Sequence, residues 1–262
     1  MTTAKITVRQ DGPIGWLVID NPERRNAVTY DMWQAIPEAL KGFAADPAIR
    51  AIVVTGAGEE AFASGADISE FGERRATPEA VAQYNATTAR AHAALIEIAK
   101  PTIAMVRGFC IGGGLALALC CDIRMAAEGS RFGVPAARLG LGYRFDGVKR
   151  LVDLVGPAYA REIFFTARQF DADEALRMGL VNRVVPKEAL EAAVKETAAT
   201  IAANAPLTVA AAKLSIEEAL KDPAERDLGA IDAAVEACFK SQDYIEGRQA
   251  FVEKRRPKFR GV

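Results

Sequence analysis

Two glycine-bearing loops carry the residue types best suited to chemistry. The first is Phe62-Ala-Ser-Gly-Ala-Asp-Ile68 and the second is Val106-Arg-Gly-Phe-Cys-Ile-Gly-Gly-Gly114. Each follows an apolar run that reads as a buried strand and precedes a helical or apolar segment. Small residues at such turns let a ligand approach the backbone, and N–H groups opening a helix can point at an anion. Two N–H groups aimed at one oxygen would form an oxyanion hole, which stabilises charge developing on a carbonyl. Glycine-rich strand-to-helix turns also occur for packing alone. The second loop has neither the G-x-G-x-x-G spacing of a dinucleotide site nor the lysine of a phosphate loop. Spacing by itself leaves the packing role and the ligand role equally open.

The elements that must position these loops can be read on either side of them. Residues 6–8 and 15–19 are short β-type runs separated by Asp11-Gly12-Pro13, a hairpin pattern. Met32, Ile36, Leu40 and Phe43 share one helical face, with Thr29 as its N-cap. Residues 51–56 are continuously apolar, as expected of a strand buried on both faces. A helix over 78–99 then leads to a strand over 102–106, and 121–126 is a further strand. Strands alternating with helices predict an α/β fold. From Phe170 onward the pattern reads as almost wholly helical, with helices over 172–178, 187–203, 206–220 and 230–254. A core over 1–195 followed by a helical region over 196–262 is the domain division this suggests. No fixed-period repeat or low-complexity tract interrupts it.

The bulk numbers narrow the function classes. The chain has 262 residues, half of them hydrophobic, and a formal net charge of −1. Such a balance argues against nucleic acid or a membrane surface as main partner, since both draw on clustered positive charge. Cys110, Cys120, Cys121 and Cys238 form no C-x-x-C pair and read as reduced residues of a cytoplasmic protein. With His92 as the sole histidine, a zinc site is not expected, and His92 itself reads as a packing or surface residue. No stretch is long and apolar enough to cross a bilayer, and Met1-Thr-Thr-Ala-Lys5 runs directly into an alternating segment rather than a signal core.

Taken in order along nearly the whole chain, further motifs resemble the crotonase (enoyl-CoA hydratase/isomerase) superfamily. These are Asn21-Pro-Glu-Arg-Arg-Asn-Ala27, the F-x-x-G-A-D-I loop over 62–68, Pro101-Thr-Ile-Ala with Gly108 and Gly112-Gly-Gly114, and Cys121-Asp-Ile123. Phe132-Gly-x-Pro135, Leu139-Gly140, Ala175-Leu-x-x-Gly-Leu-Val181 and Glu246-Gly-x-x-Ala-Phe-x-Glu-Lys-Arg255 continue the series. The resemblance implies a spiral of ββα turns with a C-terminal helical region used for trimerisation, as a homotrimer or homohexamer. It implies an acyl-CoA thioester as substrate, with no cofactor beyond the coenzyme A that the substrate carries. The backbone N–H groups of Ala66 and Gly113 would be the oxyanion hole. Around it would lie Ala27, Ala63, Gly65, Asp67, Ile68 and Gly112, with Arg24, Arg25, Lys254 and Lys258 toward the CoA phosphates. Asp67 and Asp122 read as braces of their loops, and Glu70 and Glu73 as a solvated helix face.

At two positions the chain departs from the family's hydratases. They carry one glutamate two residues after the glycine triplet and another after the proline of F-G-x-P, where this chain has Ala116 and Ala136. Methyl groups cannot position water or move its protons, so efficient standard hydration is not expected. Tyr143, Arg144 and Asp146 are replacement candidates: a proton donor, a carboxylate clamp and a base. A solvated loop with an internal Arg–Asp pair explains them equally well. Relatives that decarboxylate malonyl-type thioesters share the L-G-x-x-Y context of Tyr143, but carry a histidine where this chain has Ala66. A catalytically silent acyl-CoA binder is the remaining reading.

Overall fold

The run Ala51–Gly56 is buried at every residue because both of its faces are covered, its one polar side chain, Thr55, donating to the Met105 carbonyl at 3.0 Å, and the rest of the core follows from that. The computed structural model describes residues 4–74 and 76–262, without the side chain of Glu73. Its strands are β1 (Lys5–Asp11), β2 (Ile14–Asp20), β3 (Ala51–Gly56), β4 (Ala61–Ala63), β5 (Thr102–Val106), β6 (Phe109–Ile111), β7 (Ile123–Ala127), β8 (Arg131–Gly133), β9 (Phe170–Asp171) and β10 (Arg183–Val185). A six-stranded sheet has the order β1-β2-β3-β5-β7-β10 and a four-stranded sheet the order β4-β6-β8-β9. The antiparallel pairs are the hairpin β1/β2 and β8/β9; every other pairing is parallel.

Chain order explains the architecture. A strand enters the large sheet, a short strand enters the small sheet, and a helix returns the chain to begin again. Three such turns, opened by β3, β5 and β7, form the ββα spiral. Ile52, Val54, Ala104 and Val106 face the helices Tyr30–Ala45 and Pro78–Glu97, while Val53, Ile103 and Met105 face Leu190–Ala203. Fully burying a side chain of this size stabilises by about 1.5–3 kcal/mol, so the double cover fixes the register of both faces. Thr29 caps the first of these helices through Oγ1, which accepts from the Met32 N–H at 3.3 Å.

The sequence reading needs correction in three places. The stretch after Phe170 is not wholly helical: β9 joins the small sheet and β10 closes the large one. The helix expected over 230–254 is two, Leu228–Lys240 and Gln242–Glu253. Ser241 is extended between them, and its Oγ accepts from the Tyr244 N–H at 3.1 Å. Finally, Tyr143–Asp146 is not a free loop, because Phe145 opens the long helix Phe145–Thr166, which bends at Gly156-Pro157.

The C-terminal helices dock at the N-terminal ends of the parallel strands. Lys213, on the helix Pro206–Ala219, donates to Asp122 Oδ2 at 2.9 Å, and the same oxygen accepts from the Thr102 N–H at 2.7 Å. Asp122 thus braces the starts of β5 and β7, as its sequence context suggested. The helix Leu190–Ala203 runs unbroken through residues 195 and 196. Among the described residues no single helix is long and apolar enough to cross a membrane.

Candidate active site

The two glycine loops meet because the strands before them are neighbours. β4 and β6 are parallel and pair Ala63 with Cys110, so the chain leaves both at the same edge of the small sheet. Gly114 sets the distance between them: a Cβ there would lie 2.3 Å from the Ala63 carbonyl oxygen. Gly112 turns the second loop at φ 53°, ψ −116°, a region closed to other residues.

This turn brings two N–H groups together. A methyl built on Gly113 would lie 3.2 Å from the Ala66 nitrogen, and one on Gly65 would lie 3.7 Å from the Gly113 nitrogen. The groups on either side of Ala66 are used by the Val28 bridge. Val28 N–H donates to the Gly65 carbonyl at 2.8 Å and Asp67 N–H donates to the Val28 carbonyl at 2.9 Å. Alternation along the extended chain turns the Ala66 N–H the other way. Gly112 N–H is likewise taken by the Gly133 carbonyl at 2.8 Å. Among the described residues neither the Ala66 nor the Gly113 N–H has an acceptor, and both residues are half-buried. Two adjacent donors without an acceptor can receive one oxygen.

The segment 21–27 is tied to the first loop. Asn26, buried and at φ 55°, donates from Nδ2 to the carbonyls of Ala57 and Ala61, and Ser64 N–H donates to the Arg25 carbonyl. Ala27 is buried beside it. Arg24 donates to both carboxylate oxygens of Asp67 at 3.1 and 3.0 Å. Burial works to raise the Asp67 carboxyl, but the bonds from Ser69 and the Arg24 guanidinium outweigh it and hold the group below its ordinary value. Asp67 is therefore a brace. Arg25 pairs with Glu60 at 2.6 Å and lies over the Phe109 ring. Both arginine side chains remain 56% exposed, within reach of an anion at the loop rim, as is exposed Ile68. Glu70 is no solvated bystander, since its carboxylate accepts from the Tyr30 N–H at 2.8 Å and so caps the helix Tyr30–Ala45. The Glu73 side chain lies outside the described part of the chain.

Ala116 is one turn beyond Gly113 on the helix Gly113–Leu119 and is half-buried. Ala136 is buried in the turn Pro135–Arg138, and Pro135 Cδ is 3.7 Å from the position of a Gly112 Cβ. Both alanines thus flank the second loop. Tyr143 is half-buried with its ring edge-on to Phe164 at 5.1 Å, and Arg144 is exposed at the cap of the following helix. Asp146 opens into a separate cleft of about 1020 Å³, lined by Leu119, Asp122, Lys149, Arg150 and Lys213 among others. Leu119 is at the far end of the helix that Gly113 opens, about 9 Å along its axis. Asp146 thus lines the cleft that Leu119 also lines.

Lys254 and Lys258 do not join Arg24 and Arg25 within one chain. The tail is held near the start of β3, where Arg50 donates to the Phe259 carbonyl at 3.2 Å, and by Asp243, which accepts from the N–H groups of Arg260 and Gly261 at 2.7 Å each. Asn26 lies by Gly56, at the other end of that strand. Roughly the strand's length, about 17 Å, separates the two pairs.

Sequence reasoning passed over Trp33, read His92 as a packing or surface residue, and had Asn26 only as part of the 21–27 motif. The Trp33 Cζ2 atom is 3.6 Å from the Gly113 Cβ position, and His92 meets the Trp33 ring edge-on at 5.5 Å. Asn26 at positive φ had a legible signal, since asparagine tolerates that region; the other two come from separate helices and had none. The buried cysteines are not nucleophiles, because burial pushes the Cys120 thiol up to about 12 and raises Cys110 and Cys121 as well. Among the described residues no cluster of three or more His, Cys, Asp or Glu side chains is placed to hold a metal ion.

Comparison with known proteins gives the family. The family model for Enoyl-CoA hydratase/isomerase matches residues 10–262. A crotonyl-CoA hydratase of Syntrophomonas wolfei is 36% identical over 99% of this chain and 99% of its own. A carnitinyl-CoA dehydratase of Salmonella typhi is 36% identical over 96% of this chain and 97% of its own. The crystal structure of an enoyl-CoA hydratase/carnithine racemase from Magnetospirillum magneticum superposes with a TM-score of 0.92 at 37% identity, covering 100% of this chain and 97% of that one. The chain belongs to the enoyl-CoA hydratase/isomerase family and is an acyl-CoA-processing enzyme with the crotonase fold.

Proposed function

We propose that the enzyme binds an acyl-CoA thioester with its carbonyl oxygen between the N–H groups of Ala66 and Gly113, and acts through the thioester enolate. The observation that carries this reading is the pair of adjacent, acceptor-free backbone donors. When a proton or CO₂ leaves the carbon next to the thioester, negative charge moves onto that oxygen. Fixed donors hold it without reorganising, and one such donor is typically worth about two to three powers of ten in rate. Arg24 and Arg25 serve the CoA phosphates at the rim. Lys254 and Lys258 would serve only the site of another copy, in keeping with a trimer or hexamer built on the C-terminal helices.

Ala116 and Ala136 stand where a standard hydratase would need its two carboxylates, so simple hydration at ordinary rates is not the expected reaction. Loss of CO₂ from a malonyl-type thioester is the second reading. It needs no strong base at the carbon, and the half-buried Tyr143 ring is the residue favouring it. Mass spectrometry of purified protein incubated with crotonyl-CoA, a 3-enoyl-CoA and methylmalonyl-CoA separates the readings. Isomerisation of the 3-enoyl thioester or CO₂ loss from the malonyl type supports enolate chemistry without the two glutamates. Hydration of crotonyl-CoA at ordinary rates would show that the acid/base has another source. Tight binding without turnover would identify a silent binder.

A further inference from the structure

The cleft of about 1020 Å³ that Asp146 lines is built from none of the residues of the two glycine loops. Ile96, Leu119, Phe145, Leu154, Ile216 and Leu220 make much of its wall apolar, and Arg124 lies among them. Arg124 belongs to β7 and is buried, 4% exposed. Its Nε donates to the Leu180 carbonyl at 2.8 Å and its Nη1 to the Cys121 carbonyl at 2.7 Å. Those two bonds brace the strand but use only part of the five-donor guanidinium. Nη2 donates to nothing among the described residues, and unlike Trp33 Nε1 and His92 Nε2 it is not sealed from water.

The charge is as incompletely answered as the hydrogen bonds. Among the described residues no carboxylate lies within ion-pair distance of Arg124; Asp122 acts on it from farther off, and that group is already bound to Lys213 Nζ at 2.9 Å. Arg124 and Lys213 against Asp122 leave one positive charge, and a buried charge without a paired anion is costly. Burial lowers the Arg124 pKa from its ordinary value, yet a guanidinium stays charged at neutral pH. Elsewhere in the cleft Arg150 meets Glu217 at 3.6 Å and Lys149 meets Asp153 at 2.7 Å. Asp146, Asp222 and Glu225 are exposed, where water and salt screen them. We infer that this cleft binds a monocarboxylic acid with an apolar chain, its carboxylate on Arg124 Nη2 and its chain along the apolar wall. One guanidinium suits one carboxylate, and a free acid of medium chain length is the ligand class. Leu119 closes the helix that Gly113 opens, so a bound acid would rest against the element carrying one of the paired N–H groups.

The test is calorimetric titration of the full chain with octanoate and with 1-octanol. Octanoate should bind about tenfold or more tighter than octanol, the gain of a charge-assisted hydrogen bond. Butyryl-CoA at saturation should not displace it. In Arg124→Met the preference for octanoate should fall below about twofold, with thermal melting as the check on folding. Ile216→Asp sets a like charge on the cleft wall at a residue 62% exposed, so it decides the matter should loss of the Arg124 bonds unfold the first variant. It should weaken octanoate about tenfold. No binding of octanoate, or equal binding of octanoate and octanol by the wild type, would overturn the assignment. So would displacement by butyryl-CoA, or an octanoate affinity unchanged in Ile216→Asp.

Discussion

His92 is a base held in its uncharged form, and that has a measurable cost in acid. Burial, and then Arg150, bring its pKa from 6.5 to about 4 in the folded chain. Between those values the unfolded chain carries the proton and the folded chain does not. Stability is therefore complete above pH 6.5 and falls as the pH drops toward 4. This one group accounts for about 2–3 kcal/mol between pH 7 and pH 4.5. Urea unfolding of His92→Phe at the two pH values should show a loss smaller by about that amount than in the wild type. Equal losses would mean that the ring is not protected. Gly112 governs the site at the same scale. Gly112→Ala places a methyl on a backbone at φ 53°, at a strain of order 1–3 kcal/mol. The backbone relieves that strain by swinging the Gly113 N–H. Turnover of the best thioester should fall about a hundredfold while the circular dichroism spectrum stays that of the wild type.

Elements with a local signature were legible in the sequence. The hairpin was marked by Gly12-Pro13, β3 by its unbroken apolar run, and the helix Tyr30–Ala45 by its period and by Thr29. The strands β4, β6 and β8 were not, because three residues cannot display a period and their pairing is with distant partners. Gly147 and Gly156-Pro157 hid the helix Phe145–Thr166, since such residues ordinarily mark loops. The site was legible only in part for the same reason. Glycine spacing pointed to the two loops, whereas the meeting of Trp33 and His92 depends on how two helices pack. Between elements, the Lys213–Asp122 pair joins the C-terminal helices to the spiral. The Lys213 side chain is 9% exposed and that of Asp122 25%. Lys213→Met should cost about 2 kcal/mol by chemical denaturation, less than a fully buried pair because water still reaches Asp122. A loss below about 0.5 kcal/mol would mean that the helices are held by apolar packing alone.

Across the whole molecule, much of the exposed apolar surface lies on the C-terminal helices. Phe239, Phe251 and Val252 are 61%, 86% and 80% exposed, and a groove of about 820 Å³ runs between Pro206–Ala219 and the last two helices. Association through this face is the expectation, and Phe251→Asp should then sediment closer to a monomer than the wild type does. If Lys254 and Lys258 serve a neighbouring site, the same variant should also weaken CoA binding. Unchanged sedimentation would locate the contact elsewhere. The free amides at Ala66 and Gly113 have a consequence for any mutational survey of the chain. An alanine scan cannot probe the first, which is alanine already, and at the second it adds a methyl without removing the donor. The map such a scan draws would be blank at the proposed oxygen-binding pair. Exchange of the residue 66 amide for an ester, which deletes the N–H and leaves the side chain untouched, would fill it in.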